Sequence, residues 1–275
     1  MNILRQYQPT IFCGVPTLYA AVLANPENNR DTGSRRLRRC VSAGEALPEE
    51  IGREFEARFG VEVLDGVGST EMLQTYLSNR SGDIQYGCSG VAVPGYDLRL
   101  VDEDGNQVAR GEIGELMVKA PSACNGYHNQ RENNQNTFIG SWAYSGDKYF
   151  QNDRGYYVYC GRADDMFKSG GNWVSPFEVE STLIAHEKVL EAAVVPHEDG
   201  HGNLKPKAFV ILQEGVEQSD SLVEDLKNHA KETIEFWKYP RWIEFRNDLP
   251  KTATGKIQRY KLKEKCAALN RPAPS

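Results

Sequence analysis

The sequence predicts an α/β chain in two parts. A larger first part carries a partial parallel sheet plus an antiparallel sheet or small barrel, and a small α+β domain follows. Three observations carry that expectation. The 275 residues amount to ~1.8 domains at about 150 residues each. Up to residue 64, short apolar runs alternate with helical patterns, the rhythm of a parallel sheet with crossovers. From Asp97 to Cys160 β-prone alternation replaces that rhythm, and a mixed pattern takes over after Gly161.

Taken in order, residues 11–15 read as a strand and 17–24 as a helix closed by the turn-forming NPENNRD segment. Residues 39–42 suit a buried strand. Residues 47–59 suit a helix, because Pro48 sits near its first turn and Ile51, Phe55 and Phe59 recur at i, i+4 and i+8. Residues 61–64 form the next strand. Residues 97–101 and 114–120 pair across a DEDGN hairpin turn, and 156–160 make an aromatic strand. Strands at 190–195 and 207–212 flank a GHGN loop. Residues 221–230 place Leu222, Leu226 and Ala230 on one helical face, 242–245 form a short strand, and 261–269 a last helix. The boundary is expected at GRADD, 161–165, which divides the chain into 1–163 and 164–275.

Composition excludes several classes. With 40% hydrophobic and 25% charged residues, and 25 glycines and 13 prolines, the chain is neither disordered nor collagen-like. A net charge of −6 argues against a nucleic-acid-binding surface spread over the molecule. The longest apolar run, 18–24, falls far short of the roughly 20 residues of a membrane span. MNILRQYQPT places polar residues where a signal peptide would be apolar, so the expected location is cytoplasmic, with no membrane partner. Six cysteines without a CxxC read as buried thiols of a reducing compartment. His197 and His201, among glycines and an aspartate, read as a surface loop and not a zinc site.

Four segments carry candidate chemistry. DGVGSTEM, residues 65–72, follows a strand; its glycine-flanked turn suits a nucleotide phosphate, with Ser69, Thr70 and Glu71 offering hydroxyls and a carboxylate to magnesium. The plain alternative is a strand-to-helix turn with a hydroxyl cap. SWAYSGDKYF presents Asp147 to ribose hydroxyls or is an ordinary type I turn. GRADDMFKSGGNWVSPFEVE is a functional loop or a solvated linker. LPKTATGKIQRYKLKEK carries six basic residues against one acid; it is a solvated helix face, or Thr252, Thr254 and Gly255 form a turn that presents Lys256 from a loop.

The succession SAGEALP, DGVGSTE, YSGD, GRADDMFKSGGNWVSPFEVE and PKTATGKIQR resembles the acyl-adenylate-forming (AMP-binding) superfamily. GVPTLYAAVLA, VGSTEML and VPGYDLRLVDEDG are similar to the benzoate–CoA and other aryl-CoA ligases within it. By that resemblance, 1–163 is the C-terminal part of the large AMP-binding domain and 164–275 the small mobile C-terminal domain. Gly44, Glu45, Asp65 and Gly66 would line the adenine pocket, and Thr70 and Glu71 would contact the phosphates and magnesium. Asp147 and Arg162 would hold the ribose. Asp164 would be the hinge, Lys256 the lysine that promotes adenylation, and Gly170 and Gly171 would flank the pantetheine tunnel. Gln74 stands near the acyl pocket where such ligases more commonly place a histidine.

The implied activity is an ATP-dependent ligase that joins a small aromatic carboxylic acid to coenzyme A through an acyl-AMP, with ATP, magnesium and coenzyme A as cofactors. The resemblance covers roughly the C-terminal half of the family pattern. The family's phosphate loop is expected upstream of Met1, which reads as an internal methionine, a split gene or a gene fragment. Two alternatives stay open: an adenylation module loading a carrier-protein thiol, and a non-catalytic nucleotide- or CoA-binding fragment that needs a separate N-terminal half.

Overall fold

Residues 1–252 and 257–263 are described by the computed structural model. The chain divides into two units, Met1–Tyr159 and Cys160–Ser275. The first begins α1 (Asn2–Tyr7), β1 (Ile11–Gly14), α2 (Pro16–Leu23), β2 (Arg39–Ser42), α3 (Glu49–Phe59) and β3 (Val63–Gly68). A 3₁₀ turn at Thr70–Met72, β4 (Thr75–Ser78) and β5 (Val91–Ala92) follow, and the five strands form one sheet in order β1-β2-β3-β4-β5. β1, β2 and β3 are parallel, whereas β4 and β5 are antiparallel additions.

The helices bury an aromatic core. Tyr19 of α2 meets Phe55 of α3 edge-on at 5.0 Å, and Phe55 stacks on Phe59 at 4.2 Å. Such pairs add to the burial of large rings. Buried Tyr19 keeps its polar end satisfied by donating to the Val41 carbonyl at 2.9 Å. The helix expected over 47–59 starts at Glu49, because Pro48 is the extended N-cap with ψ 139°.

The second sheet takes β6 (Asp97–Val101), β7 (Gly114–Lys119), β8 (Phe138–Ile139) after α4 (Arg131–Thr137), β9 (Trp142–Gln151) and β10 (Tyr157–Arg162). Its order is β10-β9-β7-β6, with β8 beside β9: an open sheet, not a barrel. DEDGN does not make the expected hairpin turn. β6 and β7 close on Val101↔Glu115, so the intervening chain is longer. Within it Asp102 Oδ1 accepts from the Asp104 and Asn106 amides, turning the backbone locally.

In the second unit come β11 (Phe167–Ser169), β12 (Asn172–Val174), α5 (Pro176–Ile184), β13 (Val189–Glu198), β14 (Leu204–Leu212), α6 (Asp220–Thr233) and β15 (Trp242–Phe245). β13 and β14 are antiparallel, and β15 joins β14 in parallel. Strand alternation sorts the core into two faces. Ala192, Val194, Ala208 and Val210 pack with Val179, Leu183, Leu222 and Leu226 of α5 and α6. Ala193, Val195 and Phe209 pack with Leu249, Leu262 and Ile257.

Three expectations change. GRADDMFKSGGNWVSPFEVE is not a solvated linker: Phe167, Val174 and Val179 are buried, because a hairpin and a helix sit on the β13–β14 face. Cys40, Cys88 and Cys160 are buried, but Cys13 and Cys124 are exposed, on the outer strand β1 and on the loop after β7. His197 ends β13 edge-on to Trp242 at 4.7 Å, while His201 occupies the following loop. Residues 259–263 are helical, and the rest of the expected last helix lies outside the described residues. Among the described residues, no helix is long and apolar enough to cross a membrane.

Candidate functional site

Apart from Asp147, the first unit's candidate residues lie in β3 or just after β2 and β3, on the side where open parallel sheets offer a crevice. DGVG is not a turn after the strand; it is the last two-thirds of β3 itself. The strand continues because β2 pairs it on one side and β4 on the other, with Ser42↔Asp65, Gly66↔Ser78 and Gly68↔Thr75 in register. Gly68 is required by close approach, since a Cβ there would lie 2.5 Å from the Gln74 carbonyl oxygen.

Asp65 is 5% exposed and Ser42 0%. Asp65 Oδ1 and Ser42 Oγ have no hydrogen-bond partner among the described residues. Backbone hydrogen bonds from Leu47 and Gly66 favour the Asp65 carboxylate, yet burial dominates and pushes its pKa up to about 7. The Leu47 contact brings the loop after β2, which carries Gly44 and Glu45, to Asp65. Gly44 takes a φ of 95° there and is exposed; Glu45 is half-buried.

After β3 the chain makes its 3₁₀ turn. Thr70 and Gln74 are exposed and Glu71 is half-buried. Glu71 Oε1 accepts from the Tyr127 hydroxyl at 2.8 Å, and its carbonyl accepts from the Cys124 amide at 2.8 Å. Burial and the neighbouring Glu71 both push the Tyr127 hydroxyl up. The Met72 carbonyl accepts from Tyr96 and Ser122, tying the turn to the second sheet. Tyr127 was missed by sequence reasoning, because its link to Glu71 spans 56 positions.

Asp147 lies in β9, not in a type I turn. Between the pairs Glu115↔Lys148 and Met117↔Tyr144, Leu116 alone faces Ser145, Gly146 and Asp147. The surplus residues form a bulge, a common device for re-aiming side chains. Ser145 Oγ accepts from the Asp147 amide at 3.1 Å, and the Asp147 charge adds to the burial that raises the Tyr149 hydroxyl.

The second unit holds the remainder. Arg162 ends β10 and is exposed, as is Asp164 in the turn 163–165. Gly170 and Gly171, with φ of 60° and 85°, are the two turn residues of the β11–β12 hairpin, a conformation in which side chains are strained. Lys256 lies outside the described residues, but Lys251 and Ile257, on either side of it, pair as an antiparallel bridge. Arg259 grips Glu180 through Nε at 3.0 Å and Nη2 at 2.6 Å, and reaches Asp165 at 3.4 Å. That cluster too was missed, for its members are up to 94 positions apart.

No group of three or more His, Cys, Asp or Glu able to hold a metal occurs among the described residues. Magnesium commonly takes one or two carboxylates and completes its shell with phosphate oxygens and water, so Glu71 with Thr70 beside it is a fitting donor set.

Comparison with known proteins finds a family match on each unit. Residues 1–128 match the family model of the AMP-binding enzyme, and 178–256 that of the AMP-binding enzyme C-terminal domain. The chain is 59% identical to the benzoate–CoA ligase of Thauera aromatica, over 94% of this chain and 49% of that protein. It is 53% identical to the 4-hydroxybenzoate–CoA/benzoate–CoA ligase of Rhodopseudomonas palustris, over 96% and 49%. The crystal structure of the anthranilate CoA ligase AuaEII with anthranoyl-AMP superposes with a TM-score of 0.91 at 46% identity, covering 98% of this chain and 53% of that one. The chain thus spans about half the length of the curated relatives it matches. With a family model on each unit and relatives matched along nearly its whole length, the chain belongs to the AMP-binding, acyl-adenylate-forming enzyme family.

Proposed function

We propose that this chain is the C-terminal portion of an ATP-dependent aryl-CoA ligase, which acts together with the remaining half of its relatives' length. The observation that carries the reading is the 59% identity to a benzoate–CoA ligase. In the first step an aromatic carboxylate oxygen attacks the α-phosphorus of ATP, and the bond to pyrophosphate breaks. In the second, a coenzyme A thiol loses its proton and attacks the acyl carbon, releasing AMP.

Each residue type suits its part. Gly44, Glu45, Asp65 and Gly66 border the adenine: Asp65 Oδ1 and Ser42 Oγ are buried polar atoms without partners among the described residues, and such groups are costly unless a ligand satisfies them. Thr70 and Glu71 face the phosphates, and Tyr127 steadies the Glu71 carboxylate through its hydroxyl. Magnesium held there would offset phosphate charge. Asp147 and Arg162 serve the ribose hydroxyls, Asp164 is the hinge, and Gly170 and Gly171 border the pantetheine path. Lys256 stabilises the charge that develops as pyrophosphate departs. Gln74 selects among ring substituents by its amide.

The test is ATP–pyrophosphate exchange and thioester formation by the chain completed with an N-terminal half. Benzoate, hydroxybenzoates and 2-aminobenzoate should outperform medium-chain fatty acids. Lys256→Ala should lower adenylation by ~10²–10³-fold while sparing thioester formation from supplied acyl-AMP. A preference for the fatty acids would overturn the aryl assignment.

A further inference from the structure

The second unit contains a closed polar joint that the roles above leave unused. Glu180 lies on α5 with its side chain 6% exposed. Its Oε1 accepts from the Val194 amide at 2.7 Å. Among the described residues β13 is an edge strand, and the carboxylate supplies an acceptor on the side away from β14. Both Glu180 oxygens also take the Arg259 guanidinium, in the bidentate geometry that fixes an arginine's orientation as well as its charge.

The joint extends to the turn next to the hinge residue. Asp165 Oδ2 meets Arg259 at 3.4 Å, and Asp165 Oδ1 accepts from Lys263 at 3.0 Å. The Asp165 and Met166 amides both donate to the Arg162 carbonyl, which holds the turn itself. On the far side, Ser175 caps α5 by accepting from the Glu178 amide, and its hydroxyl donates to the Cys160 carbonyl. Arg259 is therefore gripped at once by the turn and by α5, and it lies three positions after Lys256. Before Lys256 the chain is pinned separately, by Leu249 in the core and by Lys251 against Glu191 at 2.6 Å.

We propose that Arg259 is a positioning residue: through Glu180 and Asp165 it fixes residues 257–263, the segment that follows Lys256, to the hinge-side turn and to α5. This rests on the role given to Lys256 above. Apolar packing of Ile257 and Leu262 holds the segment to the sheet, but such contacts are non-directional; the two-pronged arginine sets its register. Small misplacements of a group near the reacting atoms cost up to about 10²-fold in rate, so a loosened grip should appear in the step that uses Lys256.

The test has two arms. Hydrogen exchange on the 275-residue chain compares wild type with Arg259→Gln, Arg259→Lys and Glu180→Gln, the last keeping volume and an acceptor for Val194. Amides of 257–263 should exchange about tenfold faster in Arg259→Gln and less so in Arg259→Lys, with α6 and β14 protected as in wild type. In the completed enzyme, Arg259→Gln should slow adenylation by about 10–100-fold with KM for ATP little changed. Thioester formation from supplied acyl-AMP should hold near the wild-type rate, and Arg259→Lys should recover part of the loss. Unchanged exchange at 257–263, or an equal fall in the two half-reactions, would overturn the proposal. If the wild-type completed enzyme makes no acyl-adenylate, the ligase reading falls, and the exchange arm still decides whether Arg259 fixes the segment.

Discussion

Asp65 and Glu180 are both buried carboxylates, each 5% exposed, and the molecule treats them in opposite ways. Asp65, within β3, has backbone donors and, among the described residues, one oxygen without a partner. Glu180, in the middle of α5, receives a bidentate arginine and a strand amide. Burial pushes both upward, but for Glu180 the Arg259 charge opposes it. The difference teaches how to sort buried acids. One that is fully partnered is a joint, costly to break because its partners are stranded. One left short of partners is open to a ligand.

The comparison can be broken first at the joint. Glu180→Ala takes the bidentate partner from Arg259 and the acceptor from the Val194 amide, and should destabilise the second unit by ~3–5 kcal/mol, read by chemical denaturation. A loss as small as that of a surface substitution would mean that water replaces the carboxylate freely.

Asp65→Asn tests the other side. With its pKa raised from 3.8 to about 7, the group's favourable contribution is complete below pH 3.8 and is lost as pH rises through 7. The amide has no charge to bury, so the variant should gain on wild type as pH climbs, by about 2–4 kcal/mol at pH 8. Melting curves from pH 4 to pH 8 check this; a gap that stays constant would show that Asp65 is neutralised in another way.

Two smaller changes sharpen the site end. Gly68→Ala places a methyl against the Gln74 backbone and should cost ~1–3 kcal/mol, with the first unit's melting transition as the readout. Tyr127→Phe removes one hydrogen bond to Glu71, worth ~0.5–1.5 kcal/mol. Its clearer signature should be a weaker response of the completed enzyme to magnesium, followed by titrating the metal in the exchange assay.

Local pattern was legible wherever the physics is local. The sequence by itself determined β2 at 39–42 and β15 at 242–245, and it brought α6 within a few residues of its ends, because a strand's period of two and a helix's of 3.6 are written in neighbouring side chains. It also determined the order of the glycine- and charge-rich segments, and with it the family. Tertiary structure alone decided the rest. DGVG became strand because β4 returned to pair with it, and SGD became a bulge because β7 offered one residue against three. Tyr127 and Arg259, which bind the carboxylates of Glu71 and Glu180, lie 56 and 79 positions away, across turns that no short window of sequence contains. The pKa of Asp65 belongs to the same class: its charge is set by what surrounds it after folding, and burial is a property of the packed molecule, not of the residue.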